Sequence, residues 1–120
     1  MGIQVTEAEW KIMECLWEHA QQTMTEITAT LSPITGWTRY TVITLLKRMT
    51  DKGSVSMDDS GRAKKYFPLV TREQASSVET HKLLSHIFHG KATLLVSNLI
   101  DTGDLSKKDL QEILEMIKDK

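Results

Sequence analysis

Between positions 39 and 48 the chain places a run of cationic and hydrogen-bonding side chains, Arg39, Tyr40, Thr41, Thr44, Lys47 and Arg48, among the apolar Val42, Leu45 and Leu46, with Met49 following. At about 100° per residue the four apolar residues form one helical stripe. Tyr40, Thr44, Lys47 and Arg48 then fall on the opposite face, with Thr41 on its shoulder. Such side chains can donate to phosphates and to base edges, and threonine methyls suit the methyl of thymine. Further along, Arg62, Lys64 and Lys65 flank or follow the turn residues Asp58-Asp59-Ser60-Gly61, where long cations can meet phosphates while adding little to sequence choice. The chemistry that this pattern supports is non-covalent recognition of double-stranded DNA.

The charge distribution points the same way. The 120 residues carry a net charge of -1, but residues 37–72 hold eight Lys or Arg against three acids. Residues 1–36 hold one Lys against five acids, and residues 73–120 hold six Lys against eight. Positive charge is therefore concentrated where a phosphate-binding face would need it.

Covalent chemistry has no comparable support. No serine sits in a GxSxG context and no glycine-rich phosphate loop occurs, so no catalytic role is expected and no cofactor is implied. Cys15 is the single cysteine and is expected to be a packed core thiol. His81, His86 and His89 are the only metal-like grouping and are read as ordinary polar residues, with no metal site. Met1 to Thr6 carries no basic stretch leading into an apolar block, and no apolar run approaches the roughly 18 residues of a membrane span, so a cytoplasmic location is expected.

The elements that must position these side chains can be read from caps and periodicity. Thr6-Glu7-Ala8-Glu9 has the form of a capping box, with Val5 and Trp10 as a hydrophobic staple, and opens a helix to about His19. A short helix over Thr25 to Leu31 is expected to end at Ser32-Pro33. A third helix runs from about Thr38 to Lys52 and closes at Gly53. Val55 and Met57 alternate with polar residues, and Ala63 to Leu69 reads as the returning strand of a hairpin.

Three helices followed by a basic hairpin is the order of a winged helix-turn-helix domain, with the third helix as the groove-reading element and the hairpin as its wing. From Thr71 the pattern is helical again, with a break at Gly90, a further run from Ala92 to Ile100, and a last helix capped by Ser106. Its apolar stripes, Leu84, Ile87 and Phe88, then Leu94, Leu95 and Leu99, then Leu110, Ile113, Leu114 and Ile117, are too many for about 50 residues to bury alone. The expected fold is thus mainly α with a small β wing. Residues 1–70 form a winged-helix DNA-binding domain and residues 71–120 a helical domain through which two copies associate.

Across nearly its full length the chain resembles the penicillinase and methicillin-resistance repressors of the BlaI/MecI type. The pieces that carry the resemblance are Thr6-Glu7-Ala8-Glu9-Trp10 with Leu16-Trp17, Trp37-Thr38 leading into Thr41-Val42, Thr44-Leu45-Leu46 and Arg48, then Lys52-Gly53, Gly61-Arg62, and Tyr66 with Pro68. Asn98, followed by Leu105-Ser106, extends it into the last third. The resemblance implies a homodimer that occupies a palindromic operator ahead of resistance or stress genes, with Thr41, Thr44 and Arg48 at the family's DNA-reading positions. Tyr40 stands where a lysine is frequent, and Arg39 where a proline is. The resemblance also implies relief of repression through a membrane sensor and protease pathway that cuts after Asn98, here followed by Leu99 in place of the usual phenylalanine. Two other readings remain: a winged-helix module that holds another protein, and a repressor relieved by a small ligand.

Overall fold

The computed structural model describes residues 2–120. Its elements run in the order α1 (Glu7–Glu18), β1 (Gln22–Thr23), α2 (Met24–Thr35), α3 (Arg39–Lys52), β2 (Val55–Asp58), β3 (Lys65–Pro68), α4 (Arg72–Ile87), α5 (Ala92–Thr102) and α6 (Lys107–Lys118). They fall into two compact units, one reaching to Glu79 and the other covering Thr80–Lys120. The boundary lies inside α4 rather than ahead of it.

In the first unit, local hydrogen bonding sets where helices begin. Thr6 Oγ1 accepts the Glu9 amide at 3.2 Å while the Glu9 carboxylate accepts the Thr6 amide at 3.1 Å. The same reciprocal cap joins Thr23 to Glu26 at the start of α2, and Thr71 to Gln74 at the start of α4. Each satisfies donors that a helix N-terminus would otherwise leave unpaired. At the other end of α3, Gly53 adopts φ +85°, a left-handed conformation that glycine takes without the penalty of a Cβ.

The core gathers Ile12, Met13 and Leu16 of α1, Ile27 and Leu31 of α2, and Val42, Leu45, Leu46 and Met49 of α3. Val5 ahead of α1, Val55 of β2 and Ala75 of α4 join them. Cys15 is buried beside them; its Sγ donates to Gln22 Oε1 at 3.4 Å, and Gln22 Nε2 donates back to the Cys15 carbonyl at 2.8 Å. The strands form one antiparallel sheet in the order β1-β3-β2, with Asp58 and Thr23 both opposite Lys65. After β3 the chain is held against α1. Trp17 Nε1 donates to the Val70 carbonyl at 3.0 Å, and Arg72 pairs with Glu14 while stacking 4.8 Å over the Trp17 ring. The fold is mainly α with a small β wing, a winged helix-turn-helix domain followed by a helical segment.

Three details depart from the sequence reading. The second helix does not end at Ser32-Pro33: α2 carries Pro33 inside it and continues to Gly36, which caps it at φ +73°. Proline removes one amide bond, but Ala29, whose carbonyl loses that partner, and Pro33 itself are both exposed, so water replaces the bond at small cost. Leu31 buries on the core side, and the Gly36 amide bonds the Ser32 carbonyl at 2.8 Å, which retains the final turn. The returning strand is also shorter than Ala63 to Leu69. Finally, the two-residue β1 adds a third strand that no alternation of so short a segment could announce.

In the second unit, α6 starts at a fourth reciprocal cap, between Ser106 and Asp109. No residue from Thr80 to Lys120 is buried. Leu84, Phe88, Leu95, Leu99, Leu110 and Ile113 are half-buried, whereas Ile87, Leu94, Leu114 and Ile117 are exposed. No helix among the described residues is long and apolar enough to cross a membrane.

The two faces of α3 should respond differently to truncation. Leu46→Ala, at a fully buried position, is expected to lower stability by about 2 to 5 kcal/mol, whereas Tyr40→Ala on the outward face should change it by less than about 0.5 kcal/mol. Urea unfolding of the full chain checks both.

Candidate nucleic-acid interface

Because Val42, Leu45, Leu46 and Met49 fill the core, the opposite side of α3 is turned to solvent. Arg39, Tyr40, Thr44, Lys47 and Arg48 are exposed there, and Thr41 is half-buried at the shoulder. Tyr40 is 78% exposed, so its ring has no packing role that would explain it. Thr44 Oγ1 already donates to the Tyr40 carbonyl at 3.0 Å, leaving its methyl and a lone pair for any external contact. Thr41 sits in the first turn, where its amide donates to the Thr38 hydroxyl at 3.4 Å.

The wing supplies the remaining cations. Arg62 and Lys64 lie in the connection between β2 and β3, Lys65 begins β3, and all three are exposed. The turn is shaped locally by the Asp58 carboxylate, which accepts the Ser60 amide at 2.9 Å. Hydrogen bonds from Ser60 hold the Asp58 carboxyl below its ordinary pKa, with the charge of Lys65 contributing. Arg39 and Lys64, far apart in sequence, meet across a cleft of about 260 Å³ that Thr25 and Tyr66 also line. There Arg39 Nη1 donates to Thr25 Oγ1 at 2.9 Å. Of the side chains that the sequence nominated, Arg39 of α3 and Lys64 of the wing therefore line one cleft, and the others on α3 and the wing belong to the same unit.

Other nominated residues belong elsewhere. Asn98 is an exposed residue within α5, and Leu99 after it is half-buried. His81, His86 and His89 are exposed, and among the described residues no three His, Cys, Asp or Glu side chains gather as a metal site would require.

The sequence reading missed two residues next to side chains of α3, Glu9 and Thr25. Glu9, read only as a cap, is fully buried, and its carboxylate faces two cations of α3. Lys52 Nζ lies 2.5 Å from Oε1, and Arg48 Nε lies 3.8 Å from Oε2. Burial pushes the Glu9 carboxyl up, but the bond from Lys52, the Thr6 amide and the charges of Lys52 and Arg48 outweigh it and hold the group below its ordinary value. The signal available in the sequence was the pair Arg48 and Lys52 on one side of a helix. Nothing local tied that pair to position 9. Thr25 was missed for the same reason.

Residues 5–119 match the family described as penicillinase repressor. The chain belongs to the penicillinase repressor family. That family is defined by repression of transcription and is not a class of enzymes. This member is 25% identical over 116 residues to the penicillinase repressor of Bacillus licheniformis, covering 97% of this chain and 91% of that protein. It is 21% identical over 117 residues to the methicillin resistance regulatory protein MecI of Staphylococcus aureus (strain N315), covering 98% and 95%. Among solved structures it is similar to the monomeric form of Bacillus licheniformis BlaI in complex with the blaP half-operator. That match has a TM-score of 0.54, with 28% identity over 59% of this chain and 87% of that one.

The buried carboxylate makes stability depend on pH with a defined sign. Glu9 is depressed in the folded state relative to about 4.3 in an unfolded chain, so its contribution is complete above about pH 5 and is lost as pH falls through the folded value. Glu9→Gln keeps the cap but carries no charge. The gap in urea midpoint between wild type and Glu9→Gln is therefore expected to be largest at pH 7 and to shrink between pH 5 and 3.

Proposed function

We propose that this repressor binds a palindromic operator in double-stranded DNA as a homodimer, inserting α3 into the major groove and laying the wing along the phosphate backbone. The observation that carries this reading is the exposed face of α3, with Tyr40, Thr44, Lys47 and Arg48, on a helix whose Arg39 lines one cleft with Lys64 of a wing that also exposes Arg62 and Lys65. A groove-reading helix needs side chains that reach base edges, and a wing needs cations that neutralise phosphate. The likeness to a protein solved on a half-operator supports the same mode.

The partner copy follows from the second unit. A segment with no buried residue, and with Ile87, Leu94, Ile100, Leu114, Met116 and Ile117 exposed, gains little from folding alone and much from covering those side chains with a second copy. We assign DNA binding to residues 1–70 and dimerisation to residues 71–120, with the first turns of α4 completing the core of the former through Ala75. Two half-sites bound at once gain affinity that neither gains alone. The regulated genes are proposed to be β-lactamase, antibiotic-resistance or related stress genes, repressed from the cytoplasm.

Relief is proposed to follow cleavage after Asn98, downstream of a membrane sensor. Asn98 lies within α5, so a protease that needs an extended strand requires that helix to open first. A cut there separates α6 and its stripe of Leu110, Ile113, Leu114 and Ile117 from the DNA-binding half. Induction that proceeds with the chain intact would favour a small-ligand release instead.

Selection of bound fragments from genomic DNA tests the main reading: enrichment of a palindrome, with affinity falling steeply as salt rises, is the expected result. Failure to enrich any site, or salt-independent capture of a protein, would favour the interaction-module reading. On the selected site, Arg48→Ala should cost about 1 to 3 kcal/mol and relax sequence preference. Lys65→Ala should weaken all duplexes alike and reduce the salt slope by about one. A chain ending at Glu79 should fold, sediment as a monomer and bind a half-site weakly. One ending at Val70 should be less stable, because it lacks Ala75 and the Arg72 contacts to Glu14 and Trp17.

A further inference from the structure

Glu9 lies on α1, away from the outward face of α3, yet it is the buried partner of a cation on that face. Its two oxygens are used unequally. Oε1 accepts the Thr6 amide at 3.1 Å and the Lys52 ammonium at 2.5 Å. Oε2 is buried and accepts no hydrogen bond among the described residues. The cation beside it is Arg48, whose Nε stands 3.8 Å away. A buried anionic oxygen without a donor is costly, so the field of Glu9 draws the guanidinium toward it and limits the rotamers available to Arg48.

The guanidinium is planar and presents more than one donor edge. With Nε turned toward Glu9, the edge formed by Nη1 and Nη2 remains for a second acceptor, and the Arg48 side chain is 51% exposed. That edge matches the paired O6 and N7 acceptors of guanine in the major groove. Lys52 takes up Oε1, so Arg48 is attracted without being bonded so tightly that it cannot reach outward. We infer that Glu9 is a positioning residue for sequence recognition, a buried carboxylate on α1 that orients Arg48 on α3 so that its outer edge meets a base. The inference rests on the proposed reading of α3 as the groove-reading helix.

The test uses full-length chains, the palindromic duplex recovered by selection, and a duplex of the same composition in scrambled order. Glu9→Gln should lower the ratio of the two affinities by about fivefold, and should leave that ratio unchanged when Arg48 is already alanine. Equal loss on both duplexes, or the same loss of ratio in the Arg48→Ala background, would reduce Glu9 to a structural residue and overturn the inference. A second measurement needs no variant. In the wild-type chain, the Arg48 Nε–H resonance should shift together with protonation of the Glu9 carboxyl, and an Arg48 signal that ignores that titration would also overturn it. If wild type itself fails to distinguish the two duplexes, the DNA reading fails first and this inference with it. A wild-type preference that Glu9→Gln leaves intact refutes the positioning role alone.

Discussion

Val42, Leu45, Leu46 and Met49 can leave water only if α1, α2 and β2 close over them, and that requirement orients everything else in the first unit. Once those side chains are enclosed, the helix cannot rotate without exposing them. Tyr40, Thr44, Lys47 and Arg48 are then held outward by a packing energy that none of them supplies. The wing inherits its placement from the same closure, because Val55 enters the core at the start of β2 and fixes where the hairpin leaves it. The proposed recognition surface is thus the outside of a packing solution, and its polar residues are free to vary while the fold is retained.

The second unit lives under the opposite condition. Its helices have well-formed ends, with Ser106 capping α6 and Gly103 closing α5, but their apolar sides find too little to bury against. Backbone hydrogen bonding fixes where such helices start and stop, while their stability depends on covering an apolar face. This division suits a protein proposed to be switched through its association, since the unit proposed to hold two copies together is the one that buries least by itself.

Much of this was legible in the sequence because the decisive patterns are short. Both faces of α3 follow from residues 39–49, and Thr6-Glu9 and Ser106 announce helix starts within four residues. The second capping box, Thr23 to Glu26, was equally local but was passed over by an expected helix start at Thr25. Other features depend on pairs distant in the chain. Gln22 joins the sheet only because Tyr66 lies opposite it, and Glu9 acquires its cations only when α3 packs against α1. Charge counting found the basic middle third but could not show that a buried acid reaches two of its members.

The contact between Cys15 and Gln22 has a consequence for the time dependence of the fold. Burial pushes the Cys15 thiol above its ordinary pKa despite the hydrogen bond that the thiol shares with the Gln22 side chain, so the reactive thiolate is scarce as well as enclosed. A thiol reagent in solution can modify the chain only during moments when the packing around α1 opens. The sequence contains a single cysteine, so each modified molecule records one such opening at one known place. The residue acts as a clock built into the core, whose rate of labelling reports how often the first unit breathes, and how much that breathing slows when something is bound to it.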